Sequence, residues 1–432
     1  MIKRLNKTEA TIVGLSQIVV MFGTILSLKV FTNLLPISEY SLFALAQAAI
    51  IGSQFIFNPI ANALRRYLPI AQSRLEIKSY FNALNLLIRS SFLFIVLTIF
   101  ILNTITNIFD ITNQFKTIYL LGFLLGATSG MSFWGQSILI AERRRSKVLL
   151  FDILTYLLKP LIAISAIFIF GFRADVILYT FLFVNIFTLF YVSNLVKNEF
   201  KSSLNKNHLD KNHRNEKTNY LNKFFKFSSY FFIAGIVVAA ILQTDRWIIN
   251  EYLGLQEVGL YSVMFAIANG TTSFVFSSIS NVMTPVIYQR VGNDRNKSKE
   301  GMESYKNYIK ILLLIITSLV LFKLLFGKQI VLLLTSETYL SAVKILPLLT
   351  ISMSLEKIGQ AFTMKGFIGL RTWPYLWTRI VQFLVLLIIG FYSIEKYGIN
   401  GIAYAQIFSS LAYLLLVLVT NQIICKQELK AT

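Results

Sequence analysis

The chain has 432 residues, of which 55% are hydrophobic and only 14% charged. That apolar excess is too large for an aqueous core and calls for lipid as a second solvent. One cysteine, Cys425, and two histidines, His208 and His213, both in one polar stretch, exclude a disulfide framework, a cysteine-rich metal centre and a histidine-based site in the apolar body. No phosphate-loop, dinucleotide-binding, zinc-protease or hydrolase-elbow motif occurs, so no cofactor is expected.

Hydrophobic runs near ~20 residues, the length that spans a bilayer as helix, recur twelve times. They cover about 10–34, 40–63, 81–103, 117–140, 148–170, 174–196, 227–249, 258–284, 309–327, 341–364, 373–394 and 399–424. The first run is too long for a cleavable signal peptide and lacks a small-residue exit. The alternating pattern of an outer-membrane barrel is absent.

The net charge of +21 is carried mostly by alternate connections. Lys3, Arg4 and Lys7 open the series. Arg65, Arg66, Arg74 and Lys78 follow, then Arg143, Arg144, Arg145 and Lys147, and then the polar stretch 197–226. It continues through 285–310, 365–372 and the C-terminus, whereas the other connections hold only Lys116, Arg173, Lys328 and Lys396. This positive-inside pattern places both termini in the cytoplasm. It also removes nucleic acid as a partner, because the charges form no continuous stripe. The stretch 197–226 reads as a basic cytoplasmic linker between six-helix halves at 1–196 and 227–432. It is expected to be a solvated tether touching lipid headgroups, with its end, 220–226, suited to the membrane interface.

The halves carry traces of each other. Lys29 and Asn33 precede Glu39-Tyr-Ser-Leu-Phe43, as Arg246 and Asn250 precede Glu257-Val-Gly-Leu-Tyr261. Gly135-Gln136 is matched by Gly359-Gln360. An even number of spans per half gives both the same orientation, with a pseudo-two-fold axis along the membrane normal.

Charges inside lipid cost at least ~2.5 kcal/mol each, so each needs a reason. The bases are Lys29, Arg89, Lys159, Arg246, Lys344, Lys357 and Arg379; the acids are Asp152, Asp245 and Glu356. Lys344 and Asp152 sit near span ends and can snorkel. Pro160 frees a carbonyl near Lys159. Asp245-Arg246 and Glu356-Lys357 are sequence neighbours, which do not face one another on a helix, so each is expected to pair with another helix. Interhelical ion pairing and cargo binding both remain open for each charge. The surplus of bases points to an anionic substrate. Asp245 and Glu356 are the candidates for proton or sodium coupling.

In the second span Gln47, Gln54, Asn58 and Asn62 share one face within about 80° of arc, with Arg65 next. The eighth span repeats this with Ser262, Asn269, Ser273, Ser277 and Ser280. Such faces must meet protein or water. Amides offer both donor and acceptor to sugar hydroxyls.

Gln243-Thr-Asp245-Arg246-Trp-Ile-Ile-Asn-Glu-Tyr-Leu-Gly254, Glu257-Val-Gly-Leu-Tyr-Ser262, Glu39-Tyr-Ser-Leu-Phe43 and Arg66-Tyr-Leu-Pro69 resemble the Wzx-type polysaccharide-export flippases of the MOP superfamily. The resemblance implies an all-α, MATE-like membrane fold of about twelve helices in two lobes, in the bacterial plasma (inner) membrane. It implies a carrier, not an enzyme. The implied cargo is an undecaprenyl-pyrophosphate-linked oligosaccharide for O-antigen, capsule or a related polysaccharide, moved outward through a central cationic cavity. Membrane lipids, polysaccharide polymerase and chain-length machinery are the implied partners. On this reading the pyrophosphate meets Lys29, Arg89, Lys159 and Arg246, and the sugars meet Gln47, Gln54, Asn58 and Asn62. The alternatives are a MATE-type cation or drug antiporter, a lipid II or teichoic-acid exporter, and a membrane polysaccharide polymerase or ligase.

Overall fold

The computed structural model describes residues 7–74, 76–108, 112–207, 219–291, 295–368 and 373–431. All regular structure among them is helical. The first helices are α1 (Lys7–Leu34), α2 (Ile37–Ser73), α3 (Ile77–Ile108) and α4 (Asn113–Ala141). The fifth span is α5 (Arg145–Ile153), a π turn (Leu154–Leu158) and α6 (Lys159–Phe170), followed by α7 (Ala174–Asn207). Next come α8 (Tyr220–Leu253), α9 (Leu255–Val291), α10 (Arg295–Leu334), α11 (Ile345–Ile368), α12 (Leu376–Tyr397) and α13 (Ile399–Ala431). Among the described residues, eleven helical spans are long and apolar enough to cross a membrane. The twelfth expected span, α11, falls outside that set and carries Glu356, Lys357 and Gln360. The protein is a multi-pass membrane protein.

The helices overrun the hydrophobic runs. α2 continues through Pro59 and Pro69, so the Arg66-Tyr-Leu-Pro69 motif lies inside the helix rather than after it. Pro59 removes the amide that would bond Phe55 O, and Gly235 of α8 lies against that carbonyl. Residues 208–218 of the expected linker lie outside the described residues. Its end buries one face in the helix bundle and leaves Asn222, Phe225 and Lys226 exposed. Tyr220 and Phe224 open α8 fully buried against Tyr67 and Tyr80, and Tyr220 Oη donates to Glu76 Oε2 at 2.5 Å.

The chain divides into two compact units, Met1–Ala239 and Ala240–Thr432. In the first, α2 and α4 pack along a stripe of small residues, Gly122, Gly126 and Gly130. A Cβ at these positions would lie 2.8 Å from Ala49 Cβ, 2.5 Å from Ile50 O and 2.6 Å from Phe57 Cβ. Glycine every fourth residue lets membrane helices approach to backbone distance. Trp134 Nε1 fixes the depth by donating to Phe57 O at 2.7 Å. Glu39 Oε2 accepts the Ala174 amide at 2.8 Å, which places an anion on the N-terminus of α7. α1 rests on the π turn, where Gly23 faces Tyr156 O.

In the second unit α11 packs on α13 and α9, and α12 on α13. Ser352 Oγ donates to Gln406 O at 2.9 Å, and Asn421 Nδ2 to Phe362 O at 3.0 Å. α10 kinks at Phe326 (φ −113°, ψ 16°). Gly135 and Gly359 occupy corresponding crossings. A Cβ on Gly135 of α4 would strike Val192 of α7, and one on Gly359 of α11 would lie 2.6 Å from Tyr413 Cε1 of α13. The glutamine that follows each donates to a carboxylate, Gln136 to Asp152 Oδ1 at 2.8 Å and Gln360 to Glu356 Oε1 at 2.9 Å.

Candidate functional site

In the first unit the expected polar face of α2 is only partly committed to packing. Gln54 Nε2 donates to Ser129 Oγ of α4 at 2.9 Å, and Arg65 Nη2 to Ser137 Oγ at 3.4 Å. Gln47 and Asn58 are half-buried, and Asn62 is exposed. Arg89 is exposed on α3, while Lys29 is half-buried and its carbonyl accepts Asn33 Nδ2 at 2.6 Å.

Lys159 lies where the π turn passes into α6. Its Nζ donates to Asn185 Oδ1 of α7 at 3.4 Å and stands 4.7 Å from the centre of the Phe181 ring. No carboxylate pairs with it among the described residues. The π turn carries one residue more than an α turn, a feature frequent at functional sites.

Asp152 does not snorkel. It is 5% exposed and accepts Ser16 Oγ and Gln136 Nε2. Both partners are neutral, and among the described residues no cation pairs with this carboxylate.

The other two acids are placed differently. Asp245 is fully buried and accepts four bonds: from the Arg246 amide (2.8 Å), Arg246 Nη1 (3.3 Å), Tyr261 Oη (2.6 Å) and Gln406 Nε2 (3.2 Å). Arg246 also donates to Leu242 O at 2.5 Å and stacks 4.8 Å from the Phe265 ring. Its pairing is with its own sequence neighbour, contrary to expectation, because the arginine folds back along α8 while Asp245 faces α9 and α13. Glu356 does pair across helices, with Arg379 of α12 at 3.2 Å. That guanidinium also donates to Gln382 Oε1 at 2.8 Å and lies 3.8 Å from the Tyr413 ring. Lys357 stands 6.0 Å from the Phe276 ring, and Lys344 is exposed.

On α9, Ser273 Oγ donates to Asn269 Oδ1, Ser277 Oγ to Phe274 O, and Ser280 meets Tyr308 Oη. This face is largely turned back on its own helix. Ser262 Oγ is buried without a hydrogen bond.

One cation falls outside the expected set. Lys323 of α10 is 1% exposed, and its Nζ donates to Ile267 O (3.1 Å) and Ala268 O (3.3 Å) of α9. In the sequence it sits near the end of a run beside Lys328, with no complementary side chain to mark it. Among the described residues no cluster of histidine, cysteine or carboxylate side chains could hold a metal.

The profile of a family described as polysaccharide biosynthesis protein matches residues 70–344. No curated protein sequence matches the chain. Among solved structures, the chain is similar to an inward-facing multidrug resistance MATE family transporter of the MOP superfamily. The identity is 15% with a TM-score of 0.67, covering 100% of this chain and 97% of the other. A mutant of the Vibrio cholerae MATE transporter VcmN gives 14% identity and a TM-score of 0.64, over 98% and 99% of the two chains. The lipid II flippase MurJ in an inward closed conformation gives 16% identity and a TM-score of 0.61, over 96% and 87%. At these identities the likeness shows a shared fold.

Proposed function

Because the chain belongs to the polysaccharide biosynthesis protein family and has the fold of MATE transporters and MurJ, we propose that it is a flippase. Its cargo is an undecaprenyl-pyrophosphate-linked oligosaccharide, moved from the cytoplasmic to the outer leaflet by alternating access along a cationic path. The polysaccharide is O-antigen, capsule or a relative of these. The membrane is the bacterial plasma membrane, and the distribution of basic residues supports cytoplasmic termini.

Lys159 is the observation that carries this reading. A carrier for organic cations would present carboxylates to its cargo, yet Asp245 and Glu356 are each held by an arginine, and Asp152 is buried on Ser16 and Gln136. Lys159 instead holds an intramembrane ammonium on an amide oxygen and an aromatic ring. Both are neutral partners that a pyrophosphate, with charge-assisted bonds, outcompetes. Lys29 joins it in this role, with Arg89 as a secondary contact; Arg246, in the other unit, is proposed as a separate anion contact. The amides of Gln47, Gln54, Asn58 and Asn62 meet the sugars. Asp152, with neutral partners only, is better suited to a coupling proton than Asp245 or Glu356. Polymerase and chain-length machinery act on the delivered product.

Deletion of the gene followed by analysis of lipid-linked oligosaccharides tests the reading. The expected result is loss of surface polysaccharide, with one undecaprenyl-pyrophosphate oligosaccharide accumulating on the cytoplasmic side. Wild type restores export, and Lys159→Gln restores it poorly at equal expression. An unchanged lipid-linked pool in the deletion strain refutes the proposal.

A further inference from the structure

Lys323 has a charge that its surroundings do not balance. It is 1% exposed within a membrane-length helix, and its partners are two backbone carbonyls. Those carbonyls do not need it. Ile267 O already accepts Thr271 Oγ1 at 2.8 Å, and Ala268 O accepts Thr272 Oγ1 at 2.6 Å. Each also receives its own helix amide one turn on. A carbonyl has two lone pairs, so the ammonium is a third claimant at both oxygens. Withdrawing Lys323 strands no acceptor on α9, whereas an ammonium in lipid needs an anion.

Two further features give it room to move. Gly270, on the same turn of α9 as the two carbonyls, is exposed, and a Cβ there would meet nothing within 4 Å. One turn beyond Lys323, α10 leaves helical geometry at Phe326 (φ −113°, ψ 16°), followed by Gly327. A break at that point lets the segment carrying Lys323 rotate without unwinding the rest of α10.

We propose that Lys323 is the anion-binding residue of the C-terminal unit, parked on surplus α9 carbonyls and released to a pyrophosphate ligand when α10 bends at Phe326. The ligand class rests on the flippase reading above. Asp245 and Glu356 already occupy Arg246 and Arg379, whereas Lys323 carries a buried positive charge that an anion can take without breaking an ion pair.

The test uses the full chain in phosphatidylcholine nanodiscs, with farnesyl pyrophosphate as probe and farnesol as its uncharged control. Lys323→Gln is expected to weaken farnesyl pyrophosphate binding by about tenfold or more, to leave farnesol binding unchanged, and to be largely rescued by Lys323→Arg. Equal pyrophosphate binding by wild type and Lys323→Gln overturns the assignment and leaves the flippase reading intact. Parallel loss of farnesol binding also overturns it, by showing a merely structural role. A wild-type protein with no preference for the pyrophosphate over farnesol overturns both readings. A second measurement needs no variant to fold for binding. Lys323, labelled biosynthetically with carbon-13 lysine and assigned by its disappearance in Lys323→Arg, should shift its side-chain resonance with farnesyl pyrophosphate and not with farnesol. An unmoved resonance overturns the assignment.

Discussion

Replacing Asp245 by asparagine changes one atom and no volume, and it separates the value of a charge from that of its hydrogen bonds. Asp245 is fully buried and accepts four bonds. Asparagine keeps one carbonyl oxygen for the Arg246 amide. Its new amide nitrogen would face the donors Tyr261 Oη and Gln406 Nε2, but the hydroxyl can rotate and the glutamine amide can turn over. Those bonds are recoverable at about 1 kcal/mol in all. The charge on Arg246 is not. That arginine is 6% exposed and would keep only neutral partners, the retained Oδ1, Leu242 O and the Phe265 ring. Leaving one member of a buried ion pair unbalanced costs about 3–5 kcal/mol. Unfolding of the full chain by dodecyl sulfate in mixed micelles should therefore show Asp245→Asn destabilised by about that amount. Arg246→Met should be destabilised similarly, and the double variant should be more stable than the sum of the singles by about 2 kcal/mol or more. A single variant within about 1 kcal/mol of wild type, or strict additivity in the cycle, would refute the argument that the carboxylate is there for the arginine.

The same unfolding assay checks two other expectations. Gly135→Ala and Gly359→Ala should each cost about 1–3 kcal/mol, because a methyl group would enter Val192 or the Tyr413 ring. Gly14→Ala, with nothing within 4 Å of the added carbon, should be neutral or mildly stabilising; equal effects at all three positions would show that the crossings are loose. Asp152→Asn should lie within about 1 kcal/mol of wild type, since its partners Ser16 and Gln136 are neutral, whereas Asp152→Leu should cost about 1–3 kcal/mol by orphaning both. A penalty for Asp152→Asn as large as that for Asp245→Asn would mean that Asp152 has a cationic partner after all.

The spans were legible because lipid imposes a length and a composition, and both survive in a single sequence. Glu39 was legible as part of a motif, but not as the anion at the start of α7, since Ala174 offers only a backbone amide that no side-chain pattern announces. The Gly122, Gly126 and Gly130 stripe stood in the sequence as a fourfold spacing and would have predicted the α2–α4 crossing. Charges were the hardest to place. Arg379 and Glu356 are 23 residues apart and meet on neighbouring helices, whereas Asp245 and Arg246 pair along the chain because an arginine is long enough to fold back one turn. Asp152 reads differently in the fold, and Lys323 escapes notice in the sequence, for a common reason. Their partners are hydroxyls, amides and carbonyls, which occur everywhere in a sequence and so mark nothing.

The seat of α1 on the fifth span has a consequence for how such a protein changes over generations. Gly23 faces the backbone oxygen of Tyr156 in the π turn, at a distance that admits hydrogen and excludes carbon. Contact of backbone with backbone makes one position immutable and frees its neighbours. Many other residues of α1 can be substituted while the helix stays docked. At this point the joint is made by backbone, with Ser16 on Asp152 as its side-chain supplement.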